Sequence, residues 1–385
     1  DLHRLIRRQR QMCIRDRSDP VRRILERMLL NQIKTKLKMS KLNFSEISKE
    51  GGRIYITGED PEKISKVVSN IFGVDFAAPA LKTSTKMESI IEESLKLADE
   101  VLDENKSFAV EARRVGTHPY TSKDLEVKIG AEILKRFKER NLKVNLKNPD
   151  KKIFVEAREK NTYIYSEVFR GWGGLPVGSQ GKLVVFLGNH FQTALAAWLM
   201  MKRGVFPVVF YLTKNWNGFE EEFTFAKTLK TYLPQKKLKV YVAPFKDVLE
   251  ALEKVENNRL REILKQRSAI KIACKLGELK KAWGIVVGVT LKSKPIQTLK
   301  LISSLEEASE LPIFYPLIGF ENFEVEELAS KLNFPKSEFK EKFFDFSFLE
   351  DYGDVESEKL LTFEEKIGID KLVEESIKKL KTFEV

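Results

Sequence analysis

The stretch Arg170–Lys202, RGWGGLPVGSQGKLVVFLGNHFQTALAAWLMMK, constrains this chain more than any other. A glycine-dense linker over 171–181 leads into an apolar run, Leu183–Leu187, then a short turn, Gly188–Thr193, then an apolar helix-length segment, Ala194–Arg203. A short apolar run bounded by glycine reads as a strand buried on both faces. Further apolar runs near 207–212, 238–243, 284–288 and 312–315 alternate with helical patterns near 194–203, 219–231, 246–254, 258–276 and 323–332. That alternation predicts a doubly wound parallel sheet over residues 182–385, ending in an amphipathic helix, Ile367–Leu380. A strand, a turn and a helix N-terminus also form the usual cradle for a phosphate, because unpaired helix N–H groups and the helix dipole face the anion.

The first half is organised differently. Asp19-Pro20 opens a helix to about Lys38, with Val21, Ile24, Leu25, Met28, Leu29, Ile33 and Leu37 at helical spacing. Asn43–Ser48 and Arg53–Thr57 read as a hairpin around Gly51-Gly52, Asp60-Pro61 opens a helix through Asn70, and Val74–Ala78 reads as a strand. That order is a ferredoxin-like fold lacking its first strand, over residues 18–80. Residues 81–170 form a second α/β module. It has helices at Lys86–Leu102 and Lys123–Arg140 and strands at Ser107–Arg113, Leu142–Asn145, Ile153–Arg158 and Thr162–Val168. Residues 1–17, DLHRLIRRQRQMCIRDR, show no periodicity and resemble translated sequencing-adapter read-through, so they are expected to be non-native.

Charge narrows the function. The formal charge is +12, divided as +4 over residues 1–17, +6 over 18–180 and +2 over 181–385, which places any nucleic-acid contact toward the N-terminal half. Two cysteines and three scattered histidines give neither a disulfide framework nor metal-ligand spacing, so no metal site is expected. No apolar run approaches the ~18 residues of a membrane span, and no signal-peptide pattern is present, so a cytoplasmic protein without a membrane partner is expected.

Three motifs carry a family resemblance. RGWGGLPVG, followed by a turn and a helix ending MMKRG, resembles the tRNA 4-thiouridine synthetase (thiamine-biosynthesis sulfurtransferase) family, whose turn has the form SGGxDS. VEARRVGTHPYTSKDLEVKIG and LKNPDKKIFVEAR resemble the THUMP domain, an RNA-binding module of tRNA-modifying enzymes. The resemblance covers nearly all of residues 18–385. It implies tRNA or a related structured RNA as partner, with a sulfur-donor protein and a homodimeric state as further implications. It also implies an ATP-pyrophosphatase-type nucleotide domain in which ATP adenylates a uridine oxygen, a cysteine persulfide supplies sulfur and AMP leaves.

The RNA-binding candidates are Arg113, Arg114, His118, Tyr120 and Lys123, joined by Arg22 and Arg23 on the first helix. Guanidinium groups match phosphate oxygens bidentately, and His118 and Tyr120 suit stacking on an unpaired base. The structural alternatives are an Arg113 paired with Glu111 or Asp124 and a Tyr120 in the core. Thr121 or Ser122 is placed to cap the following helix.

The nucleotide-pocket candidates are Phe186, Leu187, Gly188, Asn189, Gln192, Thr193, Gly288 and Gln297. The turn departs from the family form. Its Ser-Gly-Gly falls on Gly188, Asn189 and His190, and its Asp-Ser on Gln192 and Thr193. The family acid in TGE falls on Val289, the family arginine of RPLIG on Tyr315, and the following lysine on Asn322. The catalytic cysteine would fall near Phe343–Phe346, which holds none, and Cys274 reads as a core residue. These losses predict a tRNA-binding protein with a degenerate nucleotide domain and no catalytic residues, which takes ATP and magnesium only if the pocket still works. The alternatives are an active ATP-dependent sulfurtransferase fed by an external sulfur donor, and a scaffold that binds a protein or other ligand.

Overall fold

Pro20 fits a first helical turn, where its missing N–H is no loss, and the chain enters α1 (Asp19–Met39) there. Leu25, Leu29, Ile33 and Leu37, each four residues apart, are its buried stripe. The computed structural model describes residues 14, 17–50, 52–188, 190–216, 223–291, 295–335 and 357–385. Within them the chain packs as two units. One contains α1, Ile71–Gly73 and Gly173–Val385; the other contains Ser40–Asn70 and Val74–Trp172. The expected residue 1–17 segment lies almost wholly outside the described residues. The packing units cut across the expected boundary at residue 80, because α1 packs beside the nucleotide-type fold. Gln32 Nε2 donates to the Val177 carbonyl at 2.8 Å, and Lys36 Nζ donates to the Leu233 carbonyl at 3.3 Å.

The second unit begins with the antiparallel hairpin β1 (Phe44–Glu50) and β2 (Arg53–Gly58), followed by α2 (Pro61–Ser69), whose first turn is capped by Asp60 accepting from the Lys63 N–H. The short strand β3 (Phe76–Ala77) pairs with a later strand instead of the hairpin. Then come β4 (Leu81–Thr83), α3 (Met87–Val101), β5 (Ser107–Arg114), α4 (Ser122–Arg136), β6 (Lys143–Val144), β7 (Lys151–Ala157), β8 (Thr162–Tyr165) and β9 (Phe169–Arg170), the partner of β3. The five-stranded sheet runs β4-β8-β7-β5-β6, with β5 parallel to both β6 and β7 and with β8 antiparallel to β7 and β4. Ile90, Ala98, Leu125, Ile129 and Ile133 of the two helices meet Phe108, Ile153, Val155 and Ile164 of the sheet in one core. The expected long helix over 123–140 is interrupted, because Phe137 leaves helical geometry and a 3₁₀ turn, Lys138–Arg140, follows.

The first unit is the predicted doubly wound sheet. Its elements are β10 (Lys182–Phe186), α5 (Phe191–Lys202), β11 (Phe206–Thr213), α6 (Thr224–Thr231), β12 (Lys239–Pro244), α7 (Lys246–Leu252), α8 (Asn258–Lys280), β13 (Ile285–Val286), α9 (Pro295–Glu307), β14 (Ile313–Phe314), α10 (Asn322–Lys331), α11 (Ser357–Ile367), α12 (Ile369–Lys378) and β15 (Lys381–Glu384). The order β14-β13-β10-β11-β12-β15 is parallel except at β15, an antiparallel edge strand that sequence reasoning did not anticipate. Helix α9 was also not anticipated. The expected terminal helix is α12, and a second helix, α11, precedes it; the two are separated by Gly368, whose φ of +71° lies in the left-handed region that favours glycine. In this order β10 lies between β11, the next strand in sequence, and β13. The chain direction of winding reverses there, and the crevice outside the strand C-termini at such a point is the usual ligand site of an open α/β sheet.

Candidate nucleic-acid interface and nucleotide pocket

At the C-terminal end of β5, Arg113 and Arg114 emerge from the sheet and are exposed. The chain then turns at Gly116, whose φ is +96°. A Cβ there would come within 2.8 Å of Glu159 Cγ, so the glycine lets this loop lie against the 158–161 turn. The Val115 N–H donates to the Ala157 carbonyl at 2.9 Å and joins the two loops. Lys160, exposed in that second turn, therefore belongs to the same rim. Sequence reasoning missed it, since only the long-range pairing of β5 with β7 brings it there.

His118 is half-buried, with Nε2 3.0 Å from the Val115 carbonyl oxygen, and its ring stacks on Tyr120 at 5.3 Å. Tyr120 is corrected from a base-stacking candidate to a core residue. It is only 7% exposed, and its hydroxyl donates to the Thr85 carbonyl at 2.8 Å. Burial raises its phenol pKa, which keeps it a neutral donor. The stack leaves His118 alone at the loop surface as an aromatic contact.

Of the two expected caps for α4, Thr121 is the one used, and it leaves this helix N-terminus little room for a phosphate. Thr121 and Asp124 form a reciprocal capping box: Asp124 N–H donates to Thr121 Oγ1 at 3.1 Å, and the Thr121 N–H donates to Asp124 Oδ2 at 2.7 Å. Those bonds hold the Asp124 carboxyl below its usual pKa, so a fixed negative charge caps this helix. Asp124 bonds to Thr121 rather than to Arg113. Glu111, the other expected partner, holds Lys152 at 3.3 Å. Arg114 Nη1 donates to the His118 carbonyl at 3.4 Å. Lys123 is exposed and 3.3 Å from Glu126. The cationic centre of this rim is thus Arg113 with Arg114. Arg22 and Arg23 lie on α1 in the other unit; Arg22 is 2.6 Å from Asp19 and Arg23 is exposed.

The second unit also holds an open cleft of about 620 Å³, lined by Pro61, Leu81 and Val101 with Glu100, Asp150 and Glu167. Lys151 and Lys152 line it as well, so its charge is mixed and singles out no phosphate site.

In the first unit, the predicted nucleotide residues largely converge. Phe186 and Leu187 are buried in β10 and just beyond it, and Gly188 follows them. Helix α5 starts at Phe191, three residues earlier than expected, so Gln192 and Thr193 are its second and third residues. Thr193 Oγ1 accepts from the Gly188 N–H at 3.1 Å and donates to the His190 carbonyl at 2.9 Å. Gly288, just after β13, presses on the same point. A Cβ there would meet the Gln192 carbonyl carbon and oxygen at 2.6 Å and Thr193 Cα at 2.7 Å. Gln297 is half-buried on α9 and is not among these contacts. Asn189, the 292–294 segment and the Phe343–Phe346 cysteine position lie outside the described residues.

The described residues of this turn offer no carboxylate to a magnesium ion. Gln192 supplies an amide in place of a carboxylate, His190 places an imidazole against Phe191 at 4.3 Å, and Gly188's N–H is already bonded to Thr193. Among the described residues no cluster of three or more His, Cys, Asp or Glu could hold a metal ion. Asn322, at the expected lysine position, is exposed at the start of α10. Cys274 is buried, with Sγ 3.3 Å from Ser309 Oγ. No helix among the described residues is long and apolar enough to cross a membrane.

Comparison with known proteins gives matches along most of the chain. Three family models match: the ThiI ferredoxin-like domain over residues 17–77, the THUMP domain over 84–167, and the thiamine biosynthesis protein (ThiI) over 178–340. A probable tRNA sulfurtransferase of Methanosarcina acetivorans is 31% identical over 326 residues, covering 82% of this chain and 78% of that protein. A probable tRNA sulfurtransferase of Saccharolobus solfataricus is 32% identical over 323 residues, covering 83% and 84%. Among solved structures, a 4-thiouridine synthetase–RNA complex with bound ATP superposes with a TM-score of 0.79 over 96% of each chain, at 21% identity, which is a likeness of fold. PH1313 from Pyrococcus horikoshii superposes with a TM-score of 0.63 at 27% identity, covering 81% of this chain and 94% of that one.

Proposed function

This chain belongs to the tRNA sulfurtransferase family, and from that premise we propose that it binds tRNA through its THUMP domain and does not thiolate it unaided. The RNA contact centres on Arg113 and Arg114, with Lys160 and His118 beside them. Exposed guanidiniums at a strand end, clear of the capped helix, suit phosphate oxygens.

The observation that carries the non-catalytic part is the Gly188–Thr193 turn. Where close backbone approach to phosphates needs glycine, this chain has Asn189 and His190; where a carboxylate would place a metal ion, it has Gln192. The absent lysine at Asn322 and the absent cysteine near Phe343–Phe346 act in the same direction. The second reading is an active enzyme that makes 4-thiouridine with an external sulfur donor. Identity above 30% across four-fifths of the chain to probable tRNA sulfurtransferases favours it, and the comparisons support it more directly than they support inactivity.

One preparation separates the two readings. tRNA should shift on binding while ATP with magnesium shows no saturable binding. Saturable ATP binding at micromolar concentration would favour the enzyme. Rewriting Gly188–Thr193 toward SGGxDS should restore nucleotide binding, since Gly288 already gives the turn its space.

A further inference from the structure

The parallel strands β10 to β14 all begin at one rim of their sheet, at the end opposite the Gly188–Gly288 crevice. Trp283 stands at that rim, 75% exposed. Its backbone is fixed. Its N–H donates to the Lys182 carbonyl at 2.9 Å, and the next carbonyl, that of Gly284, accepts from the Val184 N–H at 2.9 Å. A Cβ on Gly284 would lie 2.6 Å from the Pro312 carbonyl oxygen, so the turn is also held from the β14 side. The indole lies across Gly181: a Cβ there would be 3.1 Å from Trp283 Cδ1 and 3.4 Å from Nε1. A large apolar ring, supported from beneath and open to solvent, is a platform rather than a loose side chain.

The surroundings are cationic. Lys182 is the backbone partner of Trp283, Lys281 lies two residues before it, and Arg203 precedes β11; all three are exposed, with Lys182 Nζ donating to the Lys280 carbonyl at 3.5 Å. The nearby carboxylates of Glu278 and Glu310 are both engaged by Lys275, at 3.4 Å and 3.3 Å.

We propose that this rim is a second RNA-contact surface, in which the indole of Trp283 stacks on an unpaired base while Lys182, Lys281 and Arg203 face the flanking phosphates. Single-stranded RNA is bound by this pairing of an aromatic face with a basic groove, since every base has a stacking face and every linkage a negative charge. A symmetric contact between two copies centred on this rim would bring one cationic patch against another, which like-charge repulsion disfavours. The proposal rests on the tRNA-binding reading and adds a contact on the nucleotide-type unit, away from the crevice.

The test measures tRNA affinity and sedimenting mass together for wild type, Trp283→Ala, Trp283→Phe and the Lys182→Ala/Lys281→Ala pair. Trp283→Ala should bind about tenfold more weakly, the size of one lost stacking partner, and Trp283→Phe should recover most of that. The lysine pair should flatten the salt dependence. Wild type that fails to bind tRNA would remove the earlier reading and this one with it. If wild type binds and the Arg113/Arg114 variant is weakened, unchanged affinity in Trp283→Ala and in the lysine pair overturns this surface alone. A fall in sedimenting mass for Trp283→Ala with unchanged tRNA affinity would assign the rim to a second copy of the chain and equally overturn the proposal.

Discussion

Replacing Arg113 and Arg114 together by alanine should weaken tRNA binding in a way that salt reveals. Both side chains are exposed at the end of β5, and the nearest capping carboxylate, Asp124, is bonded to Thr121. On the proposed function their loss removes two phosphate contacts and, within the protein, the exposed Arg114 bond to the His118 carbonyl, and exposed substitutions of this kind shift stability by about 0.5 kcal/mol or less. Each phosphate contact adds about 0.7 to 0.9 to the slope of log affinity against log salt, so the double variant should lose about 1.4 to 1.8 of that slope. Between about 50 and about 200 mM salt, the affinity gap between wild type and variant should then close by about sevenfold to about twelvefold. Fluorescence anisotropy with labelled tRNA at four salt concentrations reads both slopes, and thermal melting confirms equal folding. Parallel slopes in a folded variant would show that these arginines touch no phosphate.

Gly288→Ala should destabilise the first unit by about 1 to 3 kcal/mol, the usual cost of overpacking, because its Cβ would meet the Gln192 backbone at 2.6 Å; wild-type melting would mean that β13 and α5 are not in close contact. Glu364→Ala should cost about 3 kcal/mol in urea unfolding, the low end for breaking a buried pair, since it removes the partner 2.7 Å from Arg267 Nε and 2.9 Å from Lys271 Nζ but leaves Arg267 with Glu307 at 3.6 Å and the Ser304 carbonyl; a loss below about 1 kcal/mol would refute the importance of that pair. Glu156 is pulled upward by burial, but Arg53 and Arg158 outweigh this and hold its carboxyl pKa below the ordinary value. The stability it contributes should therefore be present above the ordinary carboxylate pKa and lost as pH falls through the lowered one. The melting difference between wild type and Glu156→Gln should accordingly shrink between pH 6 and pH 3, and a difference that grows in acid would reverse the sign.

The parts of the fold legible in the sequence are those set by local pattern. The α1 stripe at Leu25, Leu29, Ile33 and Leu37 gives a helix, and the apolar run 183–186 between Lys182 and the Gly188 turn gives a buried strand, whatever packs against them. Strand β15 was not legible, because Lys381-Thr382-Phe383-Glu384 carries one apolar residue and owes its existence to the open edge of β12. The same holds for β9, a two-residue strand that exists only where it meets β3. At the candidate interface, Arg113 and Arg114 could be found from charge and a strand end. Tyr120 could not be judged, because an aromatic between Pro119 and Thr121 looks the same in sequence whether it points to solvent or to Thr85. Trp283 was passed over for the converse reason: its sequence neighbours Ala282 and Gly284 are buried, and only the turn between α8 and β13 turns the indole outward.

On the proposed function this chain binds tRNA, and its Gly188–Thr193 turn does not support the family reaction. The direct measurement incubates the purified chain with labelled ATP, magnesium, tRNA and sulfide, then quantifies AMP and 4-thiouridine. Sulfide bypasses a missing cysteine but cannot restore phosphate and metal placement at Gln192, so neither product should exceed the background of a tRNA-only control. Sustained AMP release coupled to 4-thiouridine in tRNA would overturn the non-catalytic reading and establish the chain as an active sulfurtransferase.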